Sequence, residues 1–339
     1  MMKRLTLLLW LPIIWSTGFS QDLHSFFEDP RAIHFQRTNL VVRWKAPKHP
    51  WPKTMGIYHV VPTAFSPVII SNLMALGSFT QNDKRDSGTN GINFSSAGRV
   101  LDISFIKGEI AYQRSTRIYG PTNLAIGVPP RSQLFQLATN YLPKLGVRLP
   151  ELAKRENGQP KINCSDDSSD YTAYLMGDNT ITNIEYRGVG FRRALDGVEF
   201  SYFGGHGVVD FGEHGEIIKI ALSWPSLERD NLYAADTPEK IIQWIREGKA
   251  YQKHMLETFG RGVSTLDWST VKSLTITKAT AHYRGESFFE RERAHLPILP
   301  SWVFPFAEIS GTVDTGHGNV DVEIVCPVID ETKPLKASK

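Results

Sequence analysis

Residues 183–224 constrain the fold more than any other stretch of this chain. From Ile218 to Trp224, the apolar residues Ile218, Ile220, Leu222 and Trp224 alternate with Lys219, Ala221 and Ser223. A period of two is the pattern of a strand with one buried face. Glu213-His214-Gly215-Glu216 precedes it as a hairpin turn, with glycine free to take positive φ. Upstream, Val198, Phe200 and Tyr202 alternate with Glu199 and Ser201, and Asp196-Gly197 is a two-residue hairpin signal. The stretch reads as an antiparallel meander and carries no catalytic motif.

The rest of the chain alternates helices with strand patterns. Strands are expected at 39–44, 55–61, 99–105, 109–114, 171–176, 271–283 and 320–328. Ser66-Pro67 caps a helix that stops at Gly77, and Leu134, Leu137, Ala138, Tyr141, Leu142 and Leu145 mark a second. Thr237-Pro238-Glu239 opens a third, which ends near Gly248. Residues 78–98, 150–170 and 225–236 read as polar loops, and 284–296 as a charged turn. Residues 299–309, with Pro300 and Pro305, read as an edge strand.

The expected fold class is α+β, with two units, each a helix packed on an antiparallel sheet. Its divisions are a signal peptide at 1–20, one unit at 21–125, a second with extra strands at 126–330, and a frayed tail at 331–339. The 339 residues are 41% hydrophobic and 22% charged, enough for cores that need no staples.

Lys3 and Arg4 precede an apolar run from Leu5 to Trp15, and Gly18-Phe19-Ser20 supplies small residues for cleavage. Export to the cell envelope or exterior follows, with cleavage after Ser20; membrane attachment would come only from an uncleaved N-terminal segment. The formal charge of +3 falls to +1 once Lys3 and Arg4 leave. That gives no basic field for nucleic acid. Export permits a Cys164–Cys326 disulfide, with two free thiols as the alternative. Asn93-Phe94-Ser95 and Asn163-Cys164-Ser165 match the glycosylation pattern.

Phe191-Arg192-Arg193-Ala194-Leu195-Asp196-Gly197-Val198 resembles a phrase of PepSY-like and fungalysin/thermolysin propeptide domains. Val208-Val209-Asp210-Phe211, then Gly212 or Gly215, then Ile217 to Ile220, is similar to that family's next hairpin. The helix through Leu134–Leu145 stands where the family's helix does. Tyr283, and later Leu299-Pro300-Ser301-Trp302-Val303-Phe304, are similar to the end of tandem YycI-type extracellular regulators. The resemblance spans roughly residues 130–310, and the glycine-rich Gly204-Gly205-His206-Gly207 departs from it. It implies a non-catalytic protein that inhibits, chaperones or regulates an exported or envelope partner. No catalytic residue carries over, and no cofactor is implied.

Individual side chains leave other readings open. His206, Glu213, His214 and His317 are of the type that binds zinc, but no HExxH motif is present. A metal-dependent hydrolase built on His206 and His214 is one alternative; a cell-wall glycan binder using exposed aromatics is another. Asp166, Asp167 and Asp170 lack the spacing of a calcium loop. Gly204, Gly205 and Gly207 could cradle an anion or form a bulged turn. Tyr202, Phe203 and His206 are the expected binding contacts, with Phe203 on the face opposite Tyr202.

Overall fold

The computed structural model describes residues 33–48, 50–115, 119–120, 122–164, 169–176, 179–201, 204–253, 266–285 and 301–335. The expected signal segment, Asp166, Asp167, Tyr202, Phe203 and nearly all of the charged turn lie outside them. The chain runs β1 (Ile33–His34), β2 (Val41–Trp44), β3 (Thr54–Val61), α1 (Pro67–Gly77), β4 (Lys84–Gly88), β5 (Gly91–Ser96), β6 (Arg99–Ser104) and β7 (Glu109–Arg114). It continues through α2 (Arg131–Tyr141), β8 (Ile162–Asn163), β9 (Ser169–Met176), β10 (Asn179–Arg192), β11 (Ala194–Leu195), β12 (Val198–Glu199), β13 (His206–Phe211) and β14 (Ile217–Ser223). It ends with β15 (Ser226–Ala235), α3 (Pro238–Glu247), β16 (Tyr251–Gln252), β17 (Ser273–Gly285), β18 (Trp302–Asp314), β19 (Asn319–Pro327) and β20 (Ile329–Pro334).

The fold is mostly β, which corrects the expectation of two helix-on-sheet units. One nine-stranded sheet runs β1-β16-β19-β18-β3-β15-β20, with β17 on β18 and β2 on β17. A second runs β4-β5-β6-β7-β14-β13-β10-β8, with β9 on β10. Both α1 and α2 pack on the second sheet and share its core, through Leu73 of α1 and Leu134 and Ala138 of α2. Neither helix therefore heads a unit of its own. The break placed between residues 125 and 126 does not separate two sheets, because β7 pairs with β14 across it.

The organisation is nested. All strands of the second sheet come from residues 84–223, whereas the first sheet is built from residues 33–61 and 226–334. The chain enters the inserted unit after β3 and leaves it through Trp224-Pro225. Each part has its own core. Met55, Ile57, Ile241, Trp244, Ile276 and Ile309 belong to the first; Leu101, Tyr112, Val189, Phe211, Ile220 and Leu222 belong to the second.

One element crosses over. After β10, the hairpin β11–β12 delivers Leu195, Val198 and then Phe200 into the first core. Its turn puts Asp196 at φ 50 and Gly197 at φ 79, the left-handed pair of a tight hairpin. The Asp196 carboxylate accepts hydrogen bonds from the Tyr58 hydroxyl at 2.8 Å, the Tyr283 hydroxyl at 2.5 Å and the Gly56 amide at 2.9 Å. Burial and then this carboxylate raise both phenols well above their ordinary range, so both remain donors.

Several local expectations are corrected. Residues 78–98 hold β4 and β5, and 225–236 holds β15. These strands are polar because they lie at or near sheet margins, and a register shift between Arg229 and Asn231 breaks the alternation of β15. β18 is not an edge: β17 flanks it on one side, and β3 and β19 flank it on the other. Pro305 falls between the residues paired with β3 and those paired with β19, where that ladder is interrupted. The tail is strand through Pro334.

Candidate functional site

A groove beside α2 has a volume of about 820 Å³. One wall is the start of α2. Pro130, at φ −66 and ψ 153, ends the extended approach and releases the helix at Arg131. Arg131 and Phe135 are four residues apart and so share one helix face. Both line the groove, together with Ser132. The helix is seated from beneath by Leu134 and Ala138, which are fully buried. Its last turn tightens to a 3-10 form at Leu142–Leu145, where Pro143 removes a donor, and Gly146 closes it at φ 85.

The facing wall is a small hairpin followed by β8. Lys161 donates its amide to Ala153 O at 2.7 Å, and Arg155 donates its amide to Gln159 O at 2.8 Å. The Arg155 guanidinium donates to Ile162 O at 2.8 Å, which steers it over the groove. β8 is held against β10 by the pairs Ile162↔Phe191 and Asn163↔Gly190. Arg155, Gln159, Ile162, Asn163 and Cys164 line this side. Among the described residues that line the groove, none is acidic. Burial raises the Cys164 thiol pKa, and the positive charges of Arg131 and Arg155 pull it part of the way back.

A second polar cluster lies on the outer face of the first sheet. His282 Nε2 is 3.1 Å from Thr280 Oγ1 and 3.6 Å from Glu308 Oε2. Lys253 Nζ lies 3.6 Å from Glu308 and 3.5 Å from Glu323. A Ser-His-Asp type relay needs its hydroxyl and carboxylate on opposite ring nitrogens. Here both meet the same one, while Nδ1 is buried without a hydrogen-bond partner. Burial holds the His282 imidazole below its usual pKa, against the pull of Glu308 and Glu199. The cluster is therefore an ion-paired surface around a neutral imidazole.

The residues singled out from sequence do not converge. His206 opens β13 opposite Ser223, whereas His214 lies in the turn at the far end of the same hairpin. At about 3.3 Å per residue, β13 alone separates them by more than any shared metal would allow. His317 lies in the β18–β19 turn of the other sheet. The described residues hold no group of three or more metal-ligating side chains close enough to share an ion. Burial of part of the ring, and then Arg192, keep the His206 imidazole below its usual range.

The glycines around His206 have a packing role. A Cβ on Gly205 would stand 2.4 Å from the Phe200 ring, and one on Gly207 would stand 2.3 Å from Phe191. Cys164 and Cys326 are both free. Cys326 is buried in the first core and Cys164 packs against the second, so the expected bridge is not formed.

Sequence reading passed over Arg131, Arg155 and Gln159. The first of these follows a proline pair, and the other two fall in a stretch with no periodicity. His282 carried a weak signal, since alternation in 271–283 sets it opposite the core residue Tyr283. Comparison with protein-family models finds no match for the chain, and comparison with curated protein sequences finds none either.

Proposed function

We propose that this chain is an exported, non-catalytic binding protein whose recognition site is the groove beside α2. The observation that carries the proposal is the composition of that groove. It combines an apolar wall, several fixed polar groups and a volume within the usual range of ligand sites. Neither Cys164 nor Ser132 has a histidine or carboxylate among the described groove-lining residues to take its proton, and burial disfavours the Cys164 thiolate. The PepSY-like phrases point the same way, toward inhibiting, chaperoning or regulating an exported partner. The basic and apolar N-terminal segment supports export.

Cys164 reports on the site directly. Cys326 is fully buried, so N-ethylmaleimide should label one thiol in the native protein and two after denaturation. A true ligand slows labelling of Cys164. A panel of chromogenic esters, phosphoesters, glycosides and peptides should show no turnover. Turnover that disappears in Arg155→Ala would replace the binding role with a catalytic one.

A further inference from the structure

We infer that the Asn157-Gly158 turn is a site of self-modification, at which the asparagine loses ammonia and an acid takes its place. The inference does not depend on the groove being the recognition site. Asparagine followed by glycine occurs twice in the chain, at Asn90-Gly91 and at Asn157-Gly158. The two dipeptides are chemically alike, and the fold treats them differently.

The reaction needs only the chain and water. The Gly158 amide nitrogen attacks Asn157 Cγ, a C–N bond forms, and the Cγ–Nδ2 bond breaks. Ammonia leaves, taking up the proton that the glycine amide gives up. Water then opens the cyclic imide at either carbonyl and yields aspartate or isoaspartate. Glycine favours the attack because no side chain shields its nitrogen.

At Asn157 the route is open. Lys154 to Gln159 are exposed, and a Cβ on Gly158 would meet nothing within 4 Å. The Gln159 amide donates to Asn157 Oδ1 at 3.1 Å. That oxygen takes on negative charge as the nitrogen attacks, so a donor already aimed at it favours the step. A turn bond from Gly158 N to Arg155 O, at 2.8 Å, restrains the nucleophile, and an exposed turn opens at little cost.

At Asn90 the same atoms are held. Gly91 is the first residue of β5, paired with Gly88 of β4 and Ser104 of β6. Asn90 O, in the same peptide unit as the Gly91 nitrogen, accepts from Phe105 N at 2.8 Å. A Cβ on Gly91 would stand 2.4 Å from Ile103 O, so β6 lies close against it. The peptide unit must turn for its nitrogen to reach Cγ, and here paired strands have to part first.

The product alters one wall of the groove. Isoaspartate carries the chain through its side-chain carbon, which adds a backbone atom to the turn and disturbs the bond from Arg155 N to Gln159 O. Arg155 and Gln159 both line the groove.

Peptide mapping tests the inference. The full protein is incubated at mildly alkaline pH and digested with trypsin, and peptides 156–161 and 86–99 are followed by mass spectrometry. In the native protein, 156–161 should convert about tenfold faster than 86–99, and in guanidinium chloride the two should convert at similar rates. Asn157→Gln should abolish conversion of 156–161 and leave that of 86–99 unchanged. Equal native rates, or a faster 86–99, would overturn the selection by the fold. Conversion of 156–161 in guanidinium chloride but not in the native protein would show that the folded turn locks its asparagine, and would overturn the site itself.

Discussion

Single side chains in this protein are read most clearly through burial. Ile220 is 1% exposed in the second core, with Val209 and Tyr112 as its cross-strand neighbours. Ile220→Asp should cost several kcal/mol in urea denaturation, since the carboxylate would have no partner there. His206→Ala should change stability little, because its side chain is exposed at a strand start. A melting temperature for His206→Ala as low as that of Ile220→Asp would contradict this placement.

Asp236 carries a pH dependence. Burial and then neighbouring Asp330 raise its pKa from 3.8 to about 6, and its Oδ2 is buried without a partner. Burial also pushes Asp330 up, but hydrogen bonds from Lys333 and Thr332 hold it at about 2. The folded pKa of Asp236 lies above its unfolded value. Its stabilisation is therefore complete below pH 3.8 and lost as the pH rises through 6. Asp236→Asn should gain stability above pH 7, by well under about 3 kcal/mol because solvent screens a half-buried carboxylate, and nothing below pH 4. Equal gains at both extremes, measured by denaturant titration, would contradict the assignment.

At the level of elements, the β11–β12 hairpin is a plug joining two cores. Asp196→Ala would leave the Tyr283 hydroxyl buried without its acceptor and put alanine at φ 50. A loss of about 1–3 kcal/mol is expected. Asp196→Asn keeps an acceptor and tolerates that φ, so it should lose less. Equal losses for the two variants, read by chemical denaturation, would remove the hydrogen bonds from the explanation.

The hairpin also shows what sequence could and could not reveal. Asp196-Gly197 announced a turn, because only such residues enter the left-handed region cheaply. Nothing local announced that Leu195, Val198 and Phe200 would leave the sheet of β10 for another core. All three helices were legible from their caps and spacing. Thr237, for example, accepts from the Lys240 amide at 3.4 Å at the start of α3. β15 was not legible, because among its ten residues only Tyr233 is buried. Alternation in β14 left one buried residue unannounced. Ile218 is buried as its place in the alternation requires, and a register shift opposite Asp210/Phe211 buries the neighbouring Ile217 in the second core as well. The groove left no trace, since its walls come from α2 and from residues 155–164, which share no motif.

At the scale of the whole molecule, the nested arrangement is bound by the β11–β12 plug and by a polar junction where the chain leaves the inserted unit. Arg193 donates to Pro225 O at 2.7 Å, lies 5.4 Å from the Trp224 ring centre and sits 3.6 Å from Glu151. Trp224 donates its indole N–H to the same Glu151 at 3.0 Å. The inserted unit has a core of its own, so a fragment of residues 64–224 should melt cooperatively by circular dichroism. Absence of a cooperative transition would make the insertion dependent on its host.

The same nesting fixes an order of events as the chain is made. β3 emerges early, yet its partners β15 and β18 lie beyond residue 225. The inserted strands meet their partners within residues 84–223 and can close first. The host sheet must wait with β3 unpaired until nearly the whole chain is available, because non-local pairing is slow to reward its loop-closure cost. A chain threaded across a membrane from its N-terminus would hold that apolar strand open throughout transit. Completion of the host sheet would then fall after release of the C-terminal end.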